Sequence, residues 1–317
     1  MSTLLLRGAL KDYLDMRHAL GFKLRAPAAH LNKFVAFLER EDAPYITTAL
    51  ALRWATQPRD VEPTVHACRL ADVRRFAAWR KATDPRTEVP PAGLLPYRCR
   101  RKLPFIYSER QVFDLIAAAR GLPSQMGLRG HTYATIFGLI AVTGMRISEA
   151  VDLNRGDVDL EEGIVTIRRT KFGKTRMVPL HPSTGAALRR YQGARDSLSR
   201  AATTPAFFVS ECGTRITTCT ARYNFACASR HIGLRGPVED NRHGRGPRIH
   251  DLRHRFAVRT LIAWYRSGLD AEREMPKLSA YLGHVHVADT YWYIEAVPEL
   301  LRLATERLER SGKGAER

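Results

Sequence analysis

A proline-rich, basic segment divides the 317-residue chain and constrains its fold more than any other feature. Five prolines follow Asp84 up to and including Pro104, together with the run Arg98-Cys99-Arg100-Arg101-Lys102. Proline fixes φ and lacks an amide hydrogen, so such a segment continues neither a helix nor a sheet. The sequence therefore predicts a domain over residues 1–84, a basic linker over 85–104 and a second domain over 105–317.

Apolar residues recur at helical spacing through residues 1–84. Two of these stripes are Leu6-Leu10-Leu14 and Leu31-Val35-Leu38. Thr47 suits the N-cap of a third helix, and Pro63 suits the first turn of a fourth. The pattern predicts an all-helical bundle.

The second domain has a mixed pattern. Ser108 and Gln111 predict a capping box, and the apolar run 131–143 predicts the next helix. Two β-prone runs, Ile164–Arg168 and Arg176–Leu180, flank a glycine-containing turn and predict a hairpin. Further helices are predicted over 182–198, 217–231, 250–267, 274–282 and 298–310. The predicted fold class is mainly α with a small β-hairpin or sheet, an all-helical domain followed by a mixed α+β domain.

The charge of the chain points to a polyanionic partner. Lysine and arginine number 51 against 32 acidic residues, a formal net charge of +19. Residues 1–103 hold 19 basic and 10 acidic residues and the remainder 32 and 22, so the excess is not a single basic tail. Such a charge is typical of proteins that bind nucleic acid. We expect both domains to contact it, and the linker residues Arg98, Arg100, Arg101 and Lys102 to follow its backbone.

Other classes of protein are disfavoured. No apolar run reaches the roughly 18 to 20 residues of a membrane span, and no basic region precedes the first apolar stretch, so we expect a cytoplasmic protein. The five cysteines never form C-x-x-C, which argues against a zinc ribbon or a disulfide framework. No G-x-x-x-x-G-K-[ST] loop indicates an ATP-driven motor, and no clear Asp/Asp/Glu set indicates a metal-dependent transposase.

Two clusters of polar residues lie in the first half of the second domain. Arg146 follows a glycine turn at the start of a helix, a position that favours anions, and Glu149 shares its helical face. Lys171 enters the hairpin turn and Lys174 leaves it, so either ammonium could project into a groove. Taken singly, each cluster is more typical of a solvated surface than of a functional site.

Two further clusters lie near the end of the chain. His250 and Arg253 are three residues apart on one predicted helix, so both can face one anion. Gly283 can end a helix just before His284, and Tyr291 and Tyr293 follow. Alone, these residues could equally be an exposed polar face and aromatic core packing.

Together, the four clusters resemble the active-site signature of the tyrosine recombinases, the phage-integrase and Xer-like family. Residues 143–150 look like its first-arginine box, and Lys171 falls where its hairpin lysine is expected. Residues 250–254 fit its second-arginine box, and residues 282–284 with Tyr293 match its terminal box. The helical domain before the linker is similar to the family's SAM-like core-binding domain.

The resemblance implies that DNA is cut and rejoined through a 3′-phosphotyrosine without metal, ATP or any other cofactor. Arg146 and Arg253 would then clamp the non-bridging oxygens of the phosphate. His284 would donate a further hydrogen bond to it, and Glu149 would orient the arginine. Lys171 would protonate the leaving 5′-oxygen.

The family usually offers one tyrosine where this chain has two, so the nucleophile must be chosen. Tyr293 lies nine residues after His284, the spacing usual in the family, and we expect it to reach the DNA groove with His250 as its general base. Residues two apart on a helix point about 200° from each other, so Tyr291 is expected to be structural.

Three functions remain open at this level. The first is a site-specific recombinase or integrase acting as a homotetramer on two synapsed sites of double-stranded DNA, with accessory DNA-bending or directionality proteins in some systems. The second is a type IB topoisomerase or telomere resolvase, and the third is a catalytically silent DNA-binding regulator. The last helix has an apolar stripe that could dock on a neighbouring subunit or on its own domain. The kind of mobile element or chromosomal system is not predicted.

Overall fold

The computed structural model describes residues 2–97, 103–168, 175–198, 204–237, 246–284 and 286–315. Lys171 and the linker residues Arg98, Arg100, Arg101 and Lys102 lie outside those ranges. Contacts between Cα atoms divide the chain into an N-terminal unit, Met1–Lys102, and a C-terminal unit, Leu103–Arg317.

The N-terminal unit is a bundle of helices. They are α1 (Ser2–Ala19), α2 (Arg25–Arg40), α3 (Thr48–Thr56) and α4 (Pro63–Arg80). The Thr47 hydroxyl accepts a hydrogen bond from the Leu50 amide at 3.2 Å, and Pro63 opens α4, as the sequence predicts. Buried aromatic rings join the helices, with Trp54 and Phe34 centred 5.1 Å apart.

Residues after α4 pack on this bundle. The Glu88 amide donates to the Ile46 carbonyl at 2.8 Å. The Arg74 guanidinium donates to the carbonyls of Pro90 and Pro91, each at 2.8 Å. Proline lacks an amide hydrogen, but its carbonyl can still accept hydrogen bonds. The Arg74 side chain therefore links the proline-rich stretch to α4.

The C-terminal unit is mainly helical with one small sheet, so the predicted fold class is confirmed. Its helices are α5 (Glu109–Arg120), α6 (Leu128–Thr143), α7 (Ile147–Asp152), α8 (Pro182–Leu198), α9 (Thr218–His231), α10 (Ile249–Arg266), α11 (Ala271–Leu282), α12 (Ala288–Ala296) and α13 (Pro298–Ala315). The strands are β1 (Val158–Asp159), β2 (Ile164–Ile167) and β3 (Arg176–Pro179), antiparallel in that order, with Val165 opposite Val178. The hairpin of β2 and β3 was predicted, but β1 is too short to leave a sequence pattern.

Two apolar cores hold this unit together. The larger surrounds α6, a helix most of whose residues are buried. The smaller lies among α10, α11, α12 and α13 and includes Leu300, whose side chain is fully buried. In this structure the start of α13 therefore packs on its own unit, where Arg266 also donates to Glu299 at 2.8 Å. Within the described ranges, every helix is too short or too polar to span a bilayer.

Candidate active site

A glycine turn at the end of α6 places Arg146. Gly144 has φ of 64°, and a Cβ there would lie 2.5 Å from the Phe256 ring, so only glycine fits. Arg146 then caps α7, and its backbone N–H donates to Glu149 Oε2 at 2.8 Å. Its Nη1 donates to Oε1 at 2.8 Å. With its side chain only 6% exposed, Glu149 is not half of a solvated surface pair.

A second arginine lies in the first turns of α10. Arg253 is 1% exposed, and its Nη1 donates to the Gly144 carbonyl at 2.8 Å. Its Nη2 donates to the Leu282 carbonyl at 2.6 Å, to which Arg146 Nη1 also donates at 3.4 Å. Burial and the positive charge of Arg146 lower the pKa of Arg253 to about 10, so Arg253 is still charged at neutral pH.

The turn at the end of α11 brings these groups together. Gly283 has φ of 67°, and its carbonyl accepts from Arg146 Nη2 at 2.9 Å. A Cβ at Gly283 would lie 2.9 Å from Arg176 Nη1. The next residue, His284, has Nδ1 2.8 Å from the hydroxyl of Thr290, which is completely buried and fixes the ring. The predicted helix end at Gly283 is therefore also the meeting point of two arginines.

The two predicted histidines are neutral at physiological pH. His250 lies exposed in the first turn of α10, where partial loss of hydration and the charge of Arg253 lower its pKa to about 4. Burial, followed by Arg253 and Arg146, lowers the pKa of His284 to about 4. A neutral imidazole has a free lone pair and can accept a proton.

One charged member of this site was not predicted from the sequence. Arg176, on β3, donates from Nη1 to Glu149 Oε1 at 3.1 Å and from Nη2 to Oε2 at 2.7 Å. A signal was present: Arg176 is two residues from Val178 on a strand, so it shares the buried face of the hairpin. An arginine on that face needs hydrogen-bond acceptors in place of water, and a carboxylate is the strongest of them.

Tyr293 is buried, whereas its place in the sequence predicts that it reaches the DNA groove. It is 2% exposed within the smaller core, and its hydroxyl is 2.8 Å from His254 Nδ1, within hydrogen-bonding distance. Tyr291, expected to be structural, is 37% exposed. The two side chains do diverge on α12, as helix geometry requires, but the buried one is Tyr293 because its ring completes the packing against α10.

His254 is the second residue that sequence reasoning missed. Its ring centroid is 4.6 Å from that of His250 and 5.5 Å from that of Tyr293. Burial and the proximity of His250 lower its pKa to about 3, so it too is neutral. Its position four residues after His250, one helical turn, was the available signal.

The structure thus brings together most of the predicted residues that it describes. Arg146, Glu149 and Arg253 form one hydrogen-bonded group with the 282–283 turn, and we call them, with Arg176, the arginine centre. His250 and His284 lie close enough for its charges to lower their pKa values. Tyr293 is packed in the core, and Lys171 lies outside the described residues.

Sequence comparison gives an independent view of the chain. Residues 107–299 match the model of the phage integrase family. The chain is 47% identical over 308 residues to a Sinorhizobium fredii protein provisionally named integrase/recombinase y4rB, covering 96% of this chain and 97% of that one. It is 30% identical to the tyrosine recombinase XerD of Neisseria meningitidis serogroup B, covering 71% and 69% of the two chains.

Solved structures share the fold at low sequence identity. A Tn1549 transposon integrase in complex with transposon right-end DNA has a TM-score of 0.64 and 14% identity, covering 95% of this chain and 99% of that one. A lambda integrase tetramer bound to a Holliday junction has a TM-score of 0.60 and 16% identity, covering 89% and 77%.

Proposed function

The chain belongs to the phage integrase family, and from that premise we propose how it acts as a site-specific DNA recombinase of the tyrosine type. The observation that carries the proposal is the arginine centre, in which Arg146 and Arg253 share the Leu282 carbonyl and are both charged. The arginine centre holds three guanidinium groups and one carboxylate, so its net positive charge favours a further anion. A DNA phosphate supplies one.

The arginines bind the non-bridging oxygens of the scissile phosphate and stabilise the charge of the pentavalent transition state. Arg146 offers the more accessible edge, with 27% of its side chain exposed. Arg253 is nearly buried, so it reaches the phosphate when movement of α12 uncovers it, while its bonds to the Gly144 and Leu282 carbonyls stay in place. His284 donates a further hydrogen bond to the same phosphate.

The transfer itself exchanges one phosphate ester for another. The Tyr293 oxygen attacks phosphorus, and the bond from phosphorus to the 5′-oxygen breaks. The phenol proton passes to His250, and Lys171 gives a proton to the departing 5′-oxygen. A 5′-hydroxyl of a second strand reverses these steps, which conserves the ester bond energy and requires no ATP.

Tyr293 must leave the core before it can react. Its ring is buried in the smaller core, and its hydroxyl lies beside His254. Because α12 contains only residues 288–296 and ends at the extended residue Val297, a local shift of this helix can expose the phenol while α10 remains in place. DNA binding or synapsis supplies the contacts that favour the exposed position.

The substrate is double-stranded DNA, which both units and the linker residues Arg98, Arg100, Arg101 and Lys102 contact. The active form is a homotetramer on two synapsed sites, acting in the cytoplasm with accessory proteins where the system uses them. The charge of +19 supports the DNA contacts. The tetrameric lambda integrase on a Holliday junction, which shares the fold, supports the assembly.

Trapping the covalent intermediate tests this function. The protein is incubated with sheared, nicked DNA from the organism that encodes it, and strands joined to protein are recovered and sequenced. We expect one recurring sequence attached through a tyrosyl 3′-phosphate, formed equally well in EDTA. Recovery of no linked strand, or linkage only with added Mg²⁺, would contradict the tyrosine mechanism. The recovered sequence is called the trapped site.

A two-site assay separates recombination from simple strand relaxation. Two labelled duplexes that each carry the trapped site should exchange strands in the presence of the protein. Relaxation of supercoiled DNA without exchange would favour the topoisomerase alternative. Binding without any covalent adduct would favour the silent regulator.

A further inference from the structure

We propose that Arg176 is a positioning residue of the reaction, which holds Glu149 so that Arg146 keeps its positive charge for the DNA phosphate. The inference rests on the proposed recombinase function. It concerns a residue on β3 that lies outside the four clusters recognised in the sequence.

The contacts of Glu149 show that two arginines share its carboxylate. Arg176 makes an end-on pair with it through Nη1 and Nη2, at 3.1 and 2.7 Å. Arg146 adds one bond from Nη1 to Oε1 and one from its backbone N–H to Oε2, each at 2.8 Å. Each carboxylate oxygen therefore accepts one bond from each arginine.

This sharing changes the charge that faces the phosphate. A carboxylate paired with Arg146 alone would neutralise it, whereas the trio of Arg146, Glu149 and Arg176 carries one net positive charge. Burial tends to raise the pKa of Glu149, but the hydrogen bonds from Arg176 and Arg146 hold it below its usual range. The carboxylate thus stays ionised and remains a fixed acceptor.

Arg176 itself is not placed to touch DNA. Its side chain is 12% exposed, both terminal nitrogens are bound to Glu149, and Nε is buried without a partner among the described residues. Its influence must therefore pass through Glu149 and Arg146. The same contacts attach β3 to the start of α7, while Gly283 leaves room for Arg176 beside the end of α11.

The test is the single-turnover rate of covalent adduct formation on the trapped site, with DNA saturating. Arg176→Met should lower this rate by roughly 10- to 100-fold, which is the usual effect of removing a residue that orients a metal-binding side chain in metalloenzymes. DNA affinity should change little. Arg176→Lys keeps the positive charge but not the paired donors of the guanidinium, so it should recover part of the rate.

The matched control is Arg189→Met, which removes the same charge from an exposed arginine on α8 that donates to a backbone carbonyl. It should leave the rate on saturating DNA unchanged. Thermal unfolding of each variant reports its folding. If Arg176→Met does not fold, the rate of Arg176→Lys is the test instead. An Arg176→Lys rate equal to that of the unsubstituted chain would then overturn the proposal.

A double-mutant cycle separates positioning from direct contact. If Arg176 acts through Glu149, then Arg176→Met should have little further effect in a Glu149→Gln background. An equal loss in both backgrounds would show that Arg176 contacts the phosphate itself and would overturn the proposal. Failure of the recombinase function looks different, because the unsubstituted chain and Arg189→Met would then form no adduct either.

Discussion

The arginine centre and the α12 segment differ in their readiness for catalysis. In the centre, Glu149 accepts four hydrogen bonds from two arginines, and Arg146 and Arg253 share one carbonyl. In α12, Tyr293 is packed in the core beside His254. The residues proposed to bind the phosphate are hydrogen-bonded to one another in this structure, while the proposed nucleophile is buried.

The difference has a physical cause. Buried charges are stable only when they are paired and hydrogen-bonded, so the centre must form as the unit folds. A phenol is stable either in an apolar core or at a polar surface, so the burial of Tyr293 is compatible with the movement proposed for it. In the proposed mechanism, fixed arginines and a movable Tyr293 would let DNA binding control the start of the reaction.

The largest expected effect concerns the buried Tyr293. Tyr293→Phe should form no covalent adduct on the trapped site while still binding DNA, because phenylalanine fills the core but lacks the attacking oxygen. Tyr291→Phe is the matched control and should still form the adduct. An adduct in Tyr293→Phe that is lost only in Tyr291→Phe would reverse the assignment, and denaturing gel electrophoresis distinguishes these results.

The next largest effect tests the arginine centre. Arg146→Ala should lower the rate of adduct formation by about 10²-fold or more, as for the loss of one preorganised donor to a developing oxyanion. The measurement is a single-turnover time course at saturating DNA. A rate within about twofold of the unsubstituted chain would mean that the centre does not face the phosphate.

The acid dependence of the reaction gives a third, smaller effect. Because the pKa of His250 is lowered to about 4, its imidazole stays unprotonated as the pH falls from 7.5 to 5.5. We expect a level rate over this range and a decline toward pH 4. A histidine with the ordinary pKa near 6.5 would lose about tenfold by pH 5.5. DNA binding measured at each pH is the control.

The smallest expected effect concerns the hydrogen-bonding partner of the buried Tyr293. His254→Phe removes the polar partner 2.8 Å from the tyrosine hydroxyl but keeps an aromatic ring. Loss of a hydrogen bond worth about 1 kcal/mol should raise the population of exposed Tyr293 roughly fivefold. Adduct formation should therefore accelerate by a few-fold. A large decrease would instead indicate that His254 takes the phenol proton, and the rate on saturating DNA distinguishes the two.

Local patterns were sufficient to predict much of this protein. Helical periodicity, the Thr47 cap and the Ser108 capping box depend on neighbouring residues, and all are present in the structure. Gly144 and Gly283 end helices in the left-handed conformation that glycine favours. Family membership also followed from the sequence because residue types and spacing identify the boxes.

Tertiary structure alone decided what those residues contact. Arg176 and Glu149 are 27 positions apart, and no local pattern pairs a strand residue with one particular carboxylate. Tyr293 and His254 are 39 apart, and the burial of the tyrosine reflects how α12 packs on α10. Sequence fixes which chemical groups are present and on which element they lie, whereas contacts between distant elements decide which charges are shared and which groups are buried.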